Sequence, residues 1–282
     1  MKKHNFSAGP CVLPQEVLLK ASEAVMDFNN SGLSLIEISH RSKDFVEVMD
    51  KARSLALELL DLEGKGYQAL FLQGGASLQF LMAAYNLLEK KAGYLNTGTW
   101  SSKAIKEAKM FGEIIEVGSS KDENFNYIPK GYSVPDGLDY LHLTSNNTIK
   151  GTQFHEFPDS NNVPLICDMS SDILSHEVDF NQFAMFYAGA QKNLGPSGVT
   201  LVVLRDDMLE IINDGLPTIF DYRTHTEKKS LFNTPPSFTI YIVKLILEWI
   251  QKQGSLKAIE NNNRKKKDVI YNLIDTNPDY FA

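Results

Sequence analysis

The sequence has few cysteines and no excess of basic charge, and each absence excludes a class of protein. Two cysteines in 282 residues, Cys11 and Cys167, are too few for a disulfide-stabilised scaffold, so we expect a reducing compartment. With 28 basic and 35 acidic residues the formal net charge is −7, which gives no support for a polyanionic partner such as nucleic acid.

Long apolar runs are also missing. The N-terminal residues lack the apolar stretch of a signal peptide, and no segment approaches the roughly 18 uninterrupted apolar residues of a membrane span. We therefore expect a soluble, cytoplasmic protein that binds neither nucleic acid nor a membrane.

The glycine motifs of nucleotide-binding proteins are absent as well. The turn Gly74-Gly75-Ala76-Ser77 is neither GxGxxG nor a Walker loop, which disfavours nucleotide binding. It nevertheless follows a predicted strand and opens a predicted helix, so the backbone N–H groups of Ala76 and Ser77 could bind a phosphate. An ordinary glycine-rich turn between a strand and a helix fits these residues equally well.

Apolar runs and amphipathic segments alternate from about residue 67 onward. Strands are predicted at 67–73, 92–96, 114–117, 140–144, 163–167, 184–188 and 199–204, and helices at 76–88, 101–111 and 238–250. This alternation is typical of an α/β fold whose mostly parallel sheet carries helices on both faces. Turn residues dominate 118–139, which we expect to be a long surface connection. From residue 255 the chain is polar and helical.

Asp168 and Lys192 are the residues most suggestive of chemistry. Asp168 ends one predicted strand and Lys192 follows the next, and the carboxyl ends of neighbouring parallel strands face the same crevice. Separately, the two residues fit a turn-capping aspartate and a surface lysine. Together they favour a pyridoxal phosphate (PLP) site, in which Lys192 attacks the cofactor's aldehyde as the Schiff-base lysine and Asp168 keeps the pyridine nitrogen protonated.

The same residues carry a resemblance to a known family. The chain resembles the phosphoserine aminotransferases, which are fold-type I PLP enzymes among the class V aminotransferases. The resemblance is carried by FYAGAQKNLGPSGV, CDMSSD, NFSAGPCVLP, SHRSKDF, LFLQGGASLQF, NTGTWSSKA and FNTPPSFTIY. It extends from Asn5 to the C-terminus.

The resemblance implies a domain organisation. We expect a fold-type I PLP-transferase whose mostly parallel, seven-stranded sheet is flanked by helices, with a small C-terminal α/β domain only partly present. The expected division is an N-terminal arm at 1–15, a large PLP-binding domain at 16–254 and the start of the small domain at 255–282. Family members continue for several tens of residues past this point, and their tail supplies a further arginine to the substrate pocket. We therefore expect the chain to be short relative to the family.

The resemblance also implies cofactor ligands. Lys192 and Asp168 keep the roles given above, and Trp100 would stack on the pyridine ring while Thr148 binds the 3-hydroxyl. The expected phosphate ligands are Gly75, Ala76, Ser77 and Gln191, together with Asn233 and Thr234 from the neighbouring subunit. This sharing implies a homodimer with shared active sites.

On the substrate side the resemblance points to His40 and Arg41. Arg41 would hold the substrate carboxylate through its bidentate fork, and His40 would lie near the substrate phosphate. Some members carry an arginine in place of Ser77, where it contributes to binding of the substrate phosphate. The implied reaction is transamination between glutamate/2-oxoglutarate and 3-phosphohydroxypyruvate/O-phosphoserine in serine biosynthesis. Bacterial members also use the 4-phosphohydroxythreonine pair in pyridoxine biosynthesis.

Two alternatives stay open on the residues alone. One is another class V PLP enzyme of the desulfurase or lyase type, and desulfurase chemistry needs a mobile, exposed cysteine. Cys167 lies in an apolar run and Cys11 in the N-terminal arm, so neither suits that role. The other is a catalytically impaired PLP-fold fragment, for which the short C-terminal region is the only support.

Overall fold

Nine strands form a large central sheet and one small hairpin in the computed structural model, which describes residues 3–281. Met1, Lys2 and Ala282, which belong to the predicted arm and C-terminal segment, lie outside the described residues. The strands of the large sheet are β1 (Tyr67–Leu72), β2 (Lys91–Asn96), β3 (Glu113–Ser119), β4 (Leu141–Thr144), β7 (Leu165–Asp168), β8 (Met185–Gly189) and β9 (Thr200–Arg205). The hairpin consists of β5 (Asn146–Asn147) and β6 (Thr152–Gln153).

The large sheet has seven strands in the order β1-β9-β8-β7-β4-β2-β3. The pairings from β3 through β8 are parallel, whereas β9 runs antiparallel to both β8 and β1. The prediction of a mostly parallel, seven-stranded sheet is therefore confirmed. The reversal at β9 has a local cause, because the connection 190–199 contains no crossover helix and short connections join antiparallel neighbours.

Helices cover both faces of this sheet. They are α1 (Gln15–Met26), α2 (Lys43–Leu59), α3 (Gly75–Leu87), α4 (Thr99–Ala108), α5 (Tyr222–Glu227), α6 (Ser237–Lys252) and α7 (Ser255–Asp275). Strand residues alternate between two apolar cores: Leu165 and Cys167 lie in the core beneath α2 and α6, and Ile166 lies in the core beneath α3 and α4. This alternation follows the two-residue period of a strand.

The connection predicted at 118–139 is irregular, as expected. Only its first residues extend β3, and a single helical turn follows at Lys121–Glu123. Ile128 and Tyr132 in this connection pack against the core. Among residues 3–281, no helix is both long and apolar enough to cross a membrane.

Candidate active site

A cavity of about 260 Å³ opens at the carboxyl ends of β4, β7 and β8. It is lined by Gly75, Ala76, Ser77, Phe80, Trp100, Thr144, Asn146, Asp168, Ser170, Ser171, Gly189, Ala190, Gln191, Lys192, Ser197, Gly198 and Val199. The parallel strands place these ends together, and this edge is where open α/β sheets bind ligands.

Lys192 lies in the loop that joins β8 to β9. The loop is closed by Ala190 N–H, which donates to the Val199 carbonyl at 3.0 Å, and by Gly195 N–H, which donates to the Ala190 carbonyl at 2.7 Å. The Lys192 amine donates to Ser171 Oγ at 2.8 Å and also to Thr148 Oγ1. Burial lowers the pKa of this amine, although the nearby Asp168 carboxylate acts in the opposite direction. A lowered pKa increases the neutral fraction, which is the nucleophilic form.

Asp168 ends β7 in the wall of the same cavity. It lies in register with Thr144 of β4 and Tyr187 of β8, and only 4% of its surface is exposed. Its Oδ1 accepts a hydrogen bond from Ser170 N–H at 2.9 Å. Burial raises the pKa of the carboxyl, and the Ser170 hydrogen bond and the Lys192 charge oppose this effect. A cationic ring nitrogen in the cavity would supply the opposite charge that a buried carboxylate requires.

The turn before α3 forms an anion site from backbone alone. Gly74 (φ +92°) and Gly75 (φ +67°) both adopt the left-handed conformation that glycine tolerates best. The first N–H groups of a helix have no partner within the helix, and those of Gly75, Ala76 and Ser77 belong to residues that line the cavity. A phosphate suits this helix end through both hydrogen bonding and the helix dipole.

Trp100 is held at the start of α4. Ser101 Oγ accepts hydrogen bonds from the N–H groups of Thr97 and Gly98, both at 2.9 Å, which caps the helix beside the tryptophan. The Lys103 amine lies 4.5 Å from the centroid of the Trp100 ring, within cation–π range. An indole that lines the cavity in this fixed position suits stacking against a planar ring.

Two buried polar atoms in the cavity wall have no hydrogen-bond partner. They are Thr144 Oγ1 and Trp100 Nε1. Unpaired buried polar groups are costly, and in native proteins they often mark a site for a ligand or water. The cavity thus offers a nucleophilic amine, a buried carboxylate, a helix N-terminus and orphaned polar atoms, and this set fits a phosphorylated, protonated aromatic aldehyde such as PLP.

Comparison with known proteins decides the family. The family model for class V aminotransferases matches residues 3–282. The chain belongs to this family.

Several relatives of this class V aminotransferase are similar along nearly its whole length. A phosphoserine aminotransferase from Flavobacterium johnsoniae is 60% identical over 99% of this chain and 78% of its own length. The corresponding protein from Geobacillus kaustophilus is 52% identical over 99% of this chain and 78% of its own. Among solved structures, phosphoserine aminotransferase from Bacillus circulans subsp. alkalophilus has a TM-score of 0.93 at 48% identity, covering 96% of this chain and 76% of that one. The PLP-bound phosphoserine aminotransferase from Trichomonas vaginalis has a TM-score of 0.92 at 36% identity, and the match covers 98% of this chain and 78% of that one.

Most of the predicted cofactor residues of this class V aminotransferase meet in the one cavity. Its lining includes Gly75, Ala76, Ser77, Trp100, Asp168, Gln191 and Lys192. Thr148 is not in the lining, but its hydroxyl accepts a hydrogen bond from the Lys192 amine. The structure therefore brings together eight of the ten predicted cofactor residues.

The other predicted residues lie elsewhere in the single chain. Asn233 lines a separate cavity of about 100 Å³, and the Thr234 carbonyl accepts a 2.7 Å hydrogen bond from Gln73 Nε2. His40 is 8% exposed with a buried, unpartnered Nε2, and Arg41 is exposed. Within residues 3–281, none of these four belongs to the lining of the Lys192 cavity.

Sequence reasoning assigned no role to several residues of this site. Ser170 Oγ accepts a 3.0 Å hydrogen bond from Gly189 N–H and so ties the ends of β7 and β8 together. The N-terminal arm also reaches Lys192: Cys11 N–H donates to the Gln191 carbonyl at 3.1 Å, and a Cβ added to Gly9 would lie 3.0 Å from Lys192 Cγ. The serine pair after Asp168 was a usable signal, whereas nothing local in the arm pointed to the lysine.

Proposed function

We propose that this chain is a PLP-dependent aminotransferase acting between glutamate/2-oxoglutarate and 3-phosphohydroxypyruvate/O-phosphoserine, a step of serine biosynthesis. The observation that carries the proposal is the convergence of the Lys192 amine, the buried Asp168 carboxylate and the α3 N-terminus on one cavity. The substrate assignment is supported by relatives named phosphoserine aminotransferase at up to 60% identity.

The cofactor would be held by residues at its two ends and on its face. Lys192 would form the covalent link, Asp168 would pair with the ring nitrogen and Trp100 would stack on the ring. The N–H groups at 75–77 and Gln191 would bind the phosphate, and Thr148 would bind the ring hydroxyl. When bound, PLP serves as the electron sink that stabilises negative charge at the substrate α-carbon.

Lys192 would then move the proton. Lys192 Nζ would act as the general base that accepts the proton from the substrate α-carbon, and the resulting ammonium would act as the general acid that gives the proton up again. Its pKa, lowered by burial, favours the neutral amine that such a base requires. The hydroxyls of Ser171 and Thr148 accept hydrogen bonds from Nζ and so fix its position in the cavity.

A homodimer with shared sites belongs to the same proposal. Asn233, Thr234, His40 and Arg41 would reach the cavity of the partner subunit, where the Arg41 guanidinium suits a carboxylate. The surface around α1 exposes large apolar side chains, namely Leu18, Leu19, Met26, Leu33 and Ile36. An exposed apolar surface of this kind is typical of an interface, and a twofold axis would make it self-complementary.

Cytoplasmic location and the division at residues 15 and 254 stay predictions. Both described cysteines are free thiols, and the reducing compartment likewise stays a prediction. Use of the 4-phosphohydroxythreonine pair is a further prediction, and measuring turnover with both phosphorylated substrates would decide it.

The decisive experiment follows one half-reaction at a time. PLP-loaded protein is mixed with L-glutamate and no acceptor, and we expect the visible band of the bound cofactor, at about 400–430 nm, to disappear as one equivalent of 2-oxoglutarate forms. Added 3-phosphohydroxypyruvate should restore the band and yield O-phosphoserine. A stable band with glutamate would contradict the aminotransferase and leave a catalytically impaired PLP-fold protein. Formation of L-alanine from L-cysteine, with release of sulfide when dithiothreitol is added as the reductant, would instead support the desulfurase alternative. The complete burial of Cys167 weighs against that alternative.

A further inference from the structure

A second buried carboxylate, Asp172, lies behind the site and is not part of the cavity lining. It is 6% exposed and follows Ser171 directly in the chain. Its Oδ1 accepts a 2.5 Å hydrogen bond from Ser145 Oγ, and its Oδ2 accepts a 3.1 Å hydrogen bond from Gln153 Nε2. Each carboxylate oxygen therefore has its own partner.

These two partners lie together at the base of the β5–β6 hairpin, one beside each strand. Ser145 immediately precedes β5, and Gln153 ends β6, where it pairs with Asn146. The backbone closes the same end, since Phe154 N–H donates to the Ser145 carbonyl at 2.8 Å. A hairpin with two residues in each strand is only marginally stable alone, so its attachment at this base determines where its tip lies.

The tip of the hairpin carries Thr148. Thr148 Oγ1 lies 2.6 Å from Ser171 Oγ, and the Lys192 amine donates to both hydroxyls. Asp172 is thus connected to the amine by two routes: through the hairpin to Thr148, and through the backbone to Ser171.

We propose that Asp172 is a positioning residue that anchors the β5–β6 hairpin and thereby places Thr148 and Ser171 around the Lys192 amine. The proposal rests on the proposed function in one respect, namely that Lys192 is the cofactor lysine. The proposed positioning role of Asp172 depends on the hydrogen bonds that its side chain accepts and not on its charge.

Substitution with asparagine separates hydrogen bonding from charge. In Asp172→Asn the amide oxygen still accepts from Gln153, and the amide N–H₂ donates to Ser145 Oγ. The single Ser145 hydroxyl proton, which the Asp172 carboxylate accepts in the parent chain, is then free to be donated to the Asp168 carbonyl, 3.1 Å from Ser145 Oγ. In Asp172→Ala both hydrogen bonds are lost, and the Ser145 and Gln153 side chains lose their partner.

Two measurements test the proposal, and the first needs no cofactor. Amide hydrogen exchange in the apo chain should be faster across 145–154 in Asp172→Ala by about tenfold or more, because two buried hydrogen bonds are lost. The PLP dissociation constant of Asp172→Ala should be about tenfold higher than that of the parent chain. Asp172→Asn should stay within about threefold of the parent chain in both measurements.

Three results would overturn the proposal. The first is an unchanged amide exchange rate of the hairpin in Asp172→Ala. The second is an effect in Asp172→Asn as large as that in Asp172→Ala, which would assign the role to charge. If Asp172→Ala does not fold, the half-buried Gln153 offers a milder substitution, because Gln153→Ala removes only one of the two hydrogen bonds. Unchanged hairpin exchange in Gln153→Ala is the third result. Failure of the parent chain to bind PLP would refute the proposed function, while the exchange measurement would still decide the role of Asp172.

Discussion

The Lys192 amine donates its hydrogen bonds to two neutral hydroxyls, Ser171 Oγ at 2.8 Å and Thr148 Oγ1. Within the described part of the chain it forms no ion pair. The amine is therefore fixed in position while burial lowers its pKa. This combination is what a nucleophilic lysine requires.

The first prediction concerns the covalent link. Lys192→Ala should lose the visible absorbance band at about 400–430 nm, and borohydride reduction of the PLP-loaded protein should give no cofactor adduct by mass spectrometry. The matched control is Lys106→Ala, which removes an exposed lysine of α4 and should keep both signals. A cofactor adduct on the Lys192→Ala chain would place the covalent site at another lysine.

The second prediction concerns Asp168 and pH. Because burial raises the pKa of this carboxyl in the folded chain, the apo folded state binds protons more tightly than the unfolded state. Its contribution to stability therefore falls as the pH rises from the unfolded value through the folded value. Asp168→Asn keeps the Ser170 hydrogen bond without the charge, so it should raise the melting temperature of the apo chain at pH 7 and lose this advantage below about pH 4.

The same substitution should damage the reaction. Without the carboxylate the ring nitrogen is no longer held protonated, and we expect turnover with glutamate to fall by about 100-fold or more. The control is Asp279→Asn, in an exposed turn near the C-terminus. The stability prediction has its own contrary outcome. Equal melting temperatures of Asp168→Asn and the parent chain between about pH 4 and pH 7, both without cofactor, would show that the charge of Asp168 does not destabilise the folded chain.

The sheet was predictable because its strands are long enough to show their periodicity. Asp168 and Lys192 were identified because the first ends such a strand and the second follows the next one, and parallel strands align their carboxyl ends. Strands β5 and β6 have two residues each, which is too short for any period, so the hairpin that carries Thr148 was missed. The orphaned Thr144 Oγ1 was missed for a related reason, since its place opposite Asp168 depends on the register of β4 with β7.

Contacts between residues far apart in the sequence were also not predicted. Asp172 was visible next to the serine pair, but nothing in the sequence linked it to Gln153 on a separate hairpin. The position of Asn233 cannot be derived from one chain at all if its partner is a second subunit. Local patterns therefore identified the groups that carry chemistry, whereas the residues that hold them required the fold.

The third prediction uses the helix N-terminus. Ser77→Asp adds a negative charge in the first turn of α3, which favours the helix by about 0.3–1 kcal/mol in the apo chain. The same charge repels a phosphate, so PLP affinity should fall by about tenfold or more. Ser77→Asn is the uncharged control of similar size and should bind PLP more tightly than Ser77→Asp. Equal affinities would show that the phosphate lies away from this turn.

The fourth prediction concerns Trp100. Trp100→Phe keeps an aromatic face and Trp100→Ala removes it, and aromatic pairs contribute about 0.5–1.5 kcal/mol. We expect the PLP dissociation constant of Trp100→Ala to rise by about 2–13-fold, with a smaller change in Trp100→Phe. Similar affinities for the two variants would indicate that the ring does not stack on the indole.

The last prediction tests whether two chains share each site. Lys192→Ala and the double variant Asn233→Ala/Thr234→Ala should each be nearly inactive as homodimers, the first without its covalent lysine and the second without two phosphate ligands. When the two are unfolded together and refolded, half of the dimers are mixed, and each mixed dimer holds one intact site. Activity should therefore return to about one quarter of the parent value, as random pairing of two chains requires. If Asn233 and Thr234 served the cavity of their own chain, every mixed dimer would hold two damaged sites, and mixing would restore nothing.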